Sequence, residues 1–313
     1  MANSEATLTG LSRTVKGVHF PYPLMIAGGV VKEVGSLLRF APTEIIPDWG
    51  SIETVASPGN GGRDYYASYG PDERLRYGLN CLGIPNPGMD YVEEHARETI
   101  KLYEGYGKPL ACNVSGKSPE DLVQLIARAV KCGFPVVTGN GSCPNQKGHP
   151  ILCFDTDAVD YVFTRVEEEL GKTDAVIFFK VSLGMPRNIL AHCKKRVADS
   201  KTFTGIITGN TVPNCFDFLE NGAPAIQTEN GITVGGLSGP AILPIALSDI
   251  RFCAEDMPRG KIVVGCGGAS NATDVRKMFS AGATLVQINT AFREAHEDPT
   301  FVQGILMGLV NKQ

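Results

Sequence analysis

The sequence predicts an α/β protein of the (β/α)8 TIM-barrel class, with long insertions at the C-terminal face of the strands. Short apolar, β-rich segments recur along the chain and alternate with segments of helical periodicity, which is typical of βαβ units and a parallel sheet. Eight such strand segments can be counted, the number that closes this kind of barrel. A barrel of this class suits 313 residues, and we expect residues 1–313 to form a single domain.

The strand segments are apolar, short and bounded by Gly, Pro or polar residues. None approaches the roughly 20 apolar residues that span a bilayer. Each is followed by enough chain for a helix before the next begins. We predict strands at residues 24–28, 44–49, 109–115, 135–140, 175–181, 205–210, 261–266 and 285–290.

Helix starts are marked by capping residues. Ser118-Pro119-Glu120-Asp121 combines a capping hydroxyl, a proline suited to the first helical position and acidic residues in the first turn. Asn271 and Asp298 precede two further helical patterns in the same way. These signals predict helices directly after residues 118, 271 and 298.

Two segments exceed the bare strand–helix repeat. Residues 50–80 follow the second predicted strand, and residues 211–236 follow the sixth. Long loops inside a compact domain are usually functional. Both leave the C-terminal end of a strand, where barrel enzymes build their active sites. We therefore expect the two insertions to border the site.

Composition excludes several classes of function. The chain has 29 Lys and Arg against 33 Asp and Glu, with the signs interspersed, so no basic face predicts nucleic-acid binding. The polar residues 1–16 lack the apolar segment of a secretory signal, and no membrane helix is predicted. Nine cysteines without a CxxC pair and five histidines without zinc spacing predict a cytoplasmic protein that binds no metal.

The segment Asn140-Gly141-Ser142-Cys143-Pro144-Asn145 comes after the apolar run Pro135 to Val137, at the end of the fourth predicted strand. A cysteine at the C-terminal end of a barrel strand, beside carboxamides and a hydroxyl, is a candidate base or nucleophile. The alternative is a packed thiol with no chemical role.

Asparagines recur at strand ends and insertions. Each carboxamide offers two donors and an acceptor, so several together would suit a flat ligand with N–H and C=O edges, although any one alone would also fit a turn. The four are Asn80, Asn140, Asn145 and Asn210.

Charge and glycine complete the candidate site. Lys180 ends the apolar run of the fifth strand, and its ammonium would point either into the barrel mouth or to solvent. Glycine-rich turns at residues 235–239 and 265–268, together with Asn289-Thr290, follow the last three strands, where this architecture usually binds phosphate. We interpret these turns as a phosphate site.

Six ordered motifs resemble those of the dihydroorotate dehydrogenase family over about residues 18 to 311. The cysteine of the SCPN loop is similar to that of the soluble class 1 enzymes. The run 146–150 resembles the homodimeric, fumarate-using subgroup, whereas 236–241 resembles the NAD-linked one. The motifs are Asn80-Cys81-Leu82-Gly83-Ile84-Pro85-Asn86, Asn140 to Asn145, Lys180, Asn210-Thr211, Gly235 to Pro240 and Gly265 to Gly268.

The resemblance implies a role for each matching residue. Cys143 would be the catalytic base. The substrate would contact Asn80, Leu82, Gly83, Asn140, Asn145, Asn210 and Thr211. The cofactor FMN would contact Ala27, Gly28, Ser51, Asn113, Asn140, Lys180, Gly236, Gly239, Gly267, Gly268, Asn289 and Thr290.

The implied reaction is the FMN-dependent oxidation of dihydroorotate to orotate in pyrimidine biosynthesis. Cys143 would take a proton while a hydride passes to flavin N5, a second acceptor such as fumarate would reoxidise the flavin, and the enzyme would be a homodimer. Two alternatives stay open: a flavin oxidoreductase of the same family acting on another cyclic amide, and a flavin-free phosphate-binding barrel that is a lyase, an isomerase or a binding protein.

Three departures from the family pattern bear on the substrate. Asp48-Trp49-Gly50-Ser51 stands where class 1 enzymes carry a lysine beside flavin and substrate, so a carboxylate or an indole would replace a positive charge. Lys32 could substitute for that lysine in space. Gly141 stands where leucine is common, and Asn289 where glycine precedes the threonine of the phosphate site.

Overall fold

The structure, a computed structural model, describes residues 8–143 and 151–311. It contains three kinds of strand: a short hairpin, the barrel strands and the strands of the insertions. In chain order they are β1 (Arg13–Val15), β2 (Val18–Phe20), β3 (Leu24–Ile26), β4 (Asp48–Ile52), β5 (Tyr65–Tyr69), β6 (Leu75–Asn80), β7 (Ala111–Val114), β8 (Val136–Asn140), β9 (Val176–Val181), β10 (Phe203–Thr208), β11 (Val212–Cys215), β12 (Gly235–Ser238), β13 (Ile262–Cys266) and β14 (Leu285–Ile288).

Helices surround the barrel. The α-helices are α1 (Val34–Phe40), α2 (Met89–Gly105), α3 (Pro119–Lys131), α4 (Thr156–Leu170), α5 (Arg187–Asp199), α6 (Leu243–Ala254), α7 (Ala272–Ser280), α8 (Thr290–Glu294) and α9 (Pro299–Val310). Short 3-10 helices lie at Thr9–Leu11, Leu152–Phe154 and Pro240–Ile242.

Eight parallel strands form the barrel in the order β3-β14-β13-β10-β9-β8-β7-β4. The ring closes where the Ile26 N–H donates to the Ile46 carbonyl at 2.9 Å and Ile26 pairs with Pro47. The predicted TIM-barrel fold is confirmed.

The predicted helix caps are present. The Ser118 hydroxyl accepts from the Asp121 N–H at 3.2 Å, and the Asn271 and Asp298 side chains accept from backbone N–H groups two or three residues on. Because a cap satisfies a donor that the first helical turn leaves unpaired, these short polar residues set where α3, α7 and α9 begin.

Two predicted strands are displaced. The second was predicted at 44–49 but runs from Asp48 to Ile52, because Pro47 has no N–H for the sheet and the pairing with β7 begins at Asp48. The sixth was predicted at 205–210 but ends at Thr208, where Gly209 takes a φ of +135°. An apolar run in the sequence therefore predicted that a strand is present, but not which of its residues pair in the sheet.

The hairpin β1–β2 closes the N-terminal end of the barrel. Val15 and Phe20 are buried against inward-facing side chains of the barrel strands, such as Met25, Phe178 and Val264. A larger apolar cluster fills the space between strands and helices. With one end sealed by packed side chains, the C-terminal end is the one open to a ligand.

The two insertions form one antiparallel sheet of order β11-β12-β6-β5, which we call the cap sheet. Each insertion supplies two strands, and β12 pairs with β6 to join them. Tyr65 and Tyr69 of β5 donate hydrogen bonds to Glu294, so the cap sheet is also tied to α8.

Candidate active site

A cavity of about 890 Å³ lies between the C-terminal ends of the barrel strands and the cap sheet. This volume is within the range of cofactor and substrate sites, which bury most of a ligand while a few polar groups orient it. Residues from β6 and β12 of the cap sheet line one side, including Asn80 and Ser238. The insertions therefore border the site, as the sequence predicts.

Most of the residues singled out in the sequence meet at this cavity. Asn145 lies outside the described residues. Gly83 is buried between two lining residues, and Gly236 packs on Thr211, whose Oγ1 is 2.1 Å from where a Cβ at 236 would lie. The others line the cavity: Ala27, Gly28, Ser51, Asn80, Leu82, Asn113, Asn140, Cys143, Lys180, Asn210, Thr211, Gly239, Gly267, Gly268, Asn289 and Thr290.

The segment after β8 carries Cys143 to the cavity. Gly141, which begins it, donates its N–H to the Lys180 carbonyl at 3.1 Å and accepts from the Cys153 N–H at 2.8 Å. A Cβ at residue 141 would lie 2.7 Å from Phe179 Cζ. The aromatic ring therefore explains why glycine replaces the leucine expected from the resemblance, and Cys143 keeps a strand-end position.

Five side chains form a continuous hydrogen-bonded series, which we call the polar chain: Asn113, Ser51, Asn140, Ser142 and Asn210. The Ser51 hydroxyl donates to Asn113 Oδ1 at 2.6 Å, and Asn140 Nδ2 donates to Ser51 Oγ at 3.0 Å. The Ser142 hydroxyl donates to Asn140 Oδ1 at 2.7 Å, and Asn210 Nδ2 donates to Ser142 Oγ at 3.0 Å. The chain runs from β7 to the end of β10 and holds three carboxamides in fixed orientations.

Beneath the polar chain lies a buried pair of charged residues. Lys180 is 3% exposed, and its Nζ donates to Gln287 Oε1 at 3.1 Å. Gln287 Nε2 in turn donates to Asp48 Oδ2 at 3.0 Å. Burial raises the pKa of Asp48, which its hydrogen-bond donors and the Lys180 charge oppose. Of the two orientations considered for Lys180, the structure has the one that faces the barrel mouth.

Sequence reasoning missed Gln287 and gave Ser142 no role. The available signal for Gln287 was a polar side chain between Val286 and Ile288, in a strand that is otherwise apolar and buried. A buried amide in such a strand must find partners, so it indicates a polar group in the barrel interior.

The sequence predicts that the Asp48 carboxylate or the Trp49 indole lies beside the ligand, but neither side chain lines the cavity. Successive side chains of a strand point to opposite faces. Trp49 therefore packs outward on Tyr91 and Phe134, and its Nε1 donates to the Lys32 carbonyl at 2.9 Å. Asp48 points inward, below Asn113. The expectation of an indole or a carboxylate beside the ligand is corrected accordingly.

Lys32 brings a positive charge to the end of β4. It lines the cavity, and its Nζ donates to the Ser51 carbonyl at 3.2 Å, so it reaches the segment 48–51, where the resemblance leads one to expect a lysine. Desolvation lowers the pKa of Lys32 to about 8, with nearby Arg293 adding to the shift and Cys143, Glu53 and Asp48 opposing it. The spatial substitution considered for Lys32 agrees with this geometry.

The glycine turn after β13 approaches the cavity with its backbone, and Asn289 and Thr290 line the cavity after β14. Gly267 and Gly268 take φ values of +124° and +82°, and a Cβ on Gly268 would lie 2.6 Å from the Leu243 nitrogen. Asn289 does not crowd this end, because its Nδ2 donates to the Gly28 carbonyl at 3.1 Å. Bare backbone beside a buried ammonium suits a ligand with a phosphate tail and a polar ring system, as a flavin mononucleotide has.

Comparison with known proteins agrees with this site. A family model described as dihydroorotate dehydrogenase matches residues 10–312. The chain belongs to the dihydroorotate dehydrogenase family. It is 28% identical over 289 residues to the protein of Thermoplasma volcanium named dihydroorotate dehydrogenase B (NAD(+)), catalytic subunit, covering 91% of this chain and 87% of the relative. It is 30% identical over 227 residues to the dihydroorotate dehydrogenase (fumarate) of Trypanosoma cruzi, covering 69% and 67%.

A solved dihydroorotate dehydrogenase from Eimeria tenella, crystallised with ferulenol, shares the fold with a TM-score of 0.79 and 19% identity, covering 96% of this chain and 84% of that one. Among the described residues of the present chain, no helix is long and apolar enough to cross a membrane. Over residues 8–143 and 151–311, no three His, Cys, Asp or Glu side chains are grouped to hold a metal ion.

Proposed function

We propose that this member of the dihydroorotate dehydrogenase family oxidises dihydroorotate to orotate, a step of pyrimidine biosynthesis, and uses FMN as its cofactor. One observation carries the proposal: Cys143, Lys180 and residues of the polar chain line the same cavity. A base, a buried cation and oriented carboxamides are the groups that this oxidation needs from a protein. The family assignment supports the same reaction.

FMN would occupy the part of the cavity between Lys180 and the glycine turns. We propose that Gly267, Gly268 and Thr290 hold its phosphate and that Lys180 lies near the pyrimidine end of the flavin. Bound FMN supplies the redox chemistry by accepting a hydride, and the protein supplies position. Further contacts are proposed from Ala27, Gly28, Ser51, Asn113, Asn140, Gly236, Gly239 and Asn289.

The substrate ring would lie between the flavin and Cys143. Oxidation removes a proton from C5 and a hydride from C6, so the Cys143 thiolate would take the proton and bound FMN would supply the hydride acceptor. Holding both partners at near-attack distance can contribute several kcal/mol to lowering the barrier. We propose that carboxamides bond the polar edges of the ring and that smaller groups flank it: Asn80, Asn140, Asn145 and Asn210, with Leu82, Gly83 and Thr211.

Three further assignments extend the proposal. We propose that a second acceptor such as fumarate reoxidises the flavin, since residues 146–150 resemble the fumarate-using subgroup. We also propose a homodimer and a cytoplasmic location. The two relatives compared above carry names with different acceptors, so stopped-flow reoxidation of reduced enzyme with fumarate, and with NAD⁺ as the comparison, is the direct test of the acceptor.

Anaerobic titration of the purified holoenzyme with dihydroorotate tests the reaction itself. We expect one equivalent to bleach the visible absorbance of the bound flavin and to yield orotate. Bleaching by another cyclic amide but not by dihydroorotate would favour the alternative, a flavin oxidoreductase with a different substrate. That alternative is considered because Asp48-Trp49 stands where the family pattern has a lysine. A protein that stays colourless after incubation with FMN would contradict the proposal.

Orotate binding is expected to weaken as pH rises through about 8, because Lys32 has a pKa of about 8 and orotate is an anion. The protonated ammonium attracts the anion, so bound orotate raises the pKa of Lys32. The contribution of Lys32 to affinity is therefore full below about pH 8 and declines as pH rises from there to the raised pKa of the complex. The measurement is the orotate Kd from flavin absorbance changes between neutral pH and about pH 10.

Lys32→Met is the matched variant for this pH dependence. It is expected to bind orotate several-fold more weakly at neutral pH and to lose most of the dependence near pH 8. Lys16→Met is the control, since Lys16 is also desolvated but donates to the Ala175 carbonyl at the opposite end of the barrel. An unchanged pH profile in Lys32→Met would assign the dependence to another group, such as Cys143.

A further inference from the structure

Asp48 lies under the site without lining it, and the proposed reaction gives it no task. Its side chain is fully buried in the barrel interior. Three donors converge on Oδ2: Asn113 Nδ2 at 2.9 Å, Gln287 Nε2 at 3.0 Å and Thr138 Oγ1 at 3.2 Å. Among the described residues, Oδ1 has no hydrogen-bond partner. Burying a carboxylate costs free energy of folding unless the charge is paired and hydrogen-bonded. A role in the site would explain why Asp48 is present here.

A carboxylate only accepts hydrogen bonds, whereas a carboxamide can turn either way and a hydroxyl has one proton. Because Asp48 accepts from Asn113 Nδ2, Asn113 must turn Oδ1 toward Ser51. The Ser51 proton is then committed to Asn113, so Ser51 Oγ can only accept, and Asn140 must turn Nδ2 toward it. One acceptor at the end of the polar chain thus sets the first two carboxamides.

The donor direction set by Asp48 also determines the hydrogen bonds at the Asn210 end of the polar chain. Asn140 Oδ1 accepts from the Ser142 hydroxyl and from the Ser142 N–H at 3.1 Å. Ser142 Oγ then accepts from Asn210 Nδ2, and Asn210 Oδ1 accepts from the Thr211 N–H at 2.9 Å. Asn113 and Asn140 each keep a second N–H, and both residues line the cavity, so together they favour a ligand with acceptor atoms at that edge.

We propose that Asp48 is a positioning residue that fixes the donor direction of the polar chain and thereby selects ligands with carbonyl oxygens at that edge. This inference rests on the proposed function for the identity of the ligand. An asparagine at position 48 can donate as well as accept, so Asn113 and the residues after it can reverse. The variant keeps the volume of the side chain but loses the control of direction.

The test compares holoenzyme with wild-type sequence, Asp48→Asn and Thr138→Val. We expect Asp48→Asn to bind orotate about tenfold or more weakly, since a reversed carboxamide turns a hydrogen bond into an unpaired polar contact. FMN stoichiometry should stay near one, whereas the Tm should fall, because Lys180 stays buried without its anionic neighbour. Thr138→Val removes one donor to Asp48 but leaves the chain direction unchanged, and its orotate Kd should stay within about twofold.

The outcomes separate the two proposals. Equal orotate affinity in wild type and Asp48→Asn overturns the positioning role, and so does an equal loss in Asp48→Asn and Thr138→Val, which would indicate packing alone. If Asp48→Asn does not fold, Asp48→Ala carries the same expectation, because a water molecule in the vacated space can donate or accept. A wild-type protein that binds FMN but not orotate contradicts the proposed substrate; one that binds neither contradicts the proposed function as a whole.

Discussion

Replacement of Cys143 by alanine is expected to slow flavin reduction by dihydroorotate by about 10³-fold, because the variant has no base to take the C5 proton. FMN should remain bound, since the residues proposed to hold its phosphate, Gly267, Gly268 and Thr290, lie on other turns. Single-turnover reduction under anaerobic conditions measures the effect directly. In the wild type the rate should rise with pH toward the thiol pKa, which is near 8.5 for an ordinary cysteine.

Two cysteine variants serve as controls for this prediction. Cys143→Ser keeps a hydroxyl, which ionises at higher pH than a thiol, and should retain a small part of the rate, with activity shifted to higher pH. Cys132→Ala removes a thiol at the C-terminal end of α3, outside the residues that line the cavity, and should leave the rate unchanged. Near-normal reduction by Cys143→Ala would remove this residue from the mechanism.

Replacement of Lys180 by methionine is expected to weaken FMN binding at least tenfold and to make the midpoint potential of the bound flavin more negative. The variant removes a 3%-exposed ammonium from the cavity, and reduced flavin carries more negative charge than oxidised flavin. It also leaves Asp48 buried without its cationic neighbour, which favours protonation of that carboxyl group. Fluorescence titration of apoprotein with FMN and a redox titration give the two values.

Lys108→Met is the matched control for the loss of a buried lysine. Lys108 is 5% exposed and donates to the Ile45 carbonyl at 3.0 Å, away from the cavity. Its removal should lower the free energy of unfolding but leave the FMN affinity and the flavin potential of the folded enzyme unchanged. If Lys108→Met and Lys180→Met change the potential equally, the shift does not come from a charge beside the flavin.

Several parts of the site could be predicted from sequence because they depend on local chemistry. Asn140 ends β8 and Cys143 follows it, and in a parallel barrel every such strand end faces the same opening. Ser118 and Asn271 mark helix starts because their side chains bond the next turn of the same segment. Patterns of this kind need no information about distant residues.

Other parts required the tertiary structure because they depend on residues far apart in the chain. The direction of Asp48 and Trp49 follows from a strand that begins at Asp48, directly after Pro47, whereas the sequence predicts a start at residue 44. Lys32 reaches Ser51, and Gln287 joins Lys180 to Asp48, across many residues of sequence. The hydrophobic periodicity of a sequence does not indicate contacts between residues so far apart in the chain.

The amino-acid sequence by itself determined the eight-stranded barrel, the end at which the site lies and the family to which the site residues belong, since periodicity, capping and motif order are properties of neighbouring residues. Only the tertiary structure decided which charged side chains reach the cavity and which way each carboxamide of the polar chain is turned. Those features arise where separate strands meet in a buried space, and there a hydrogen bond or a carboxylate is determined by its partners.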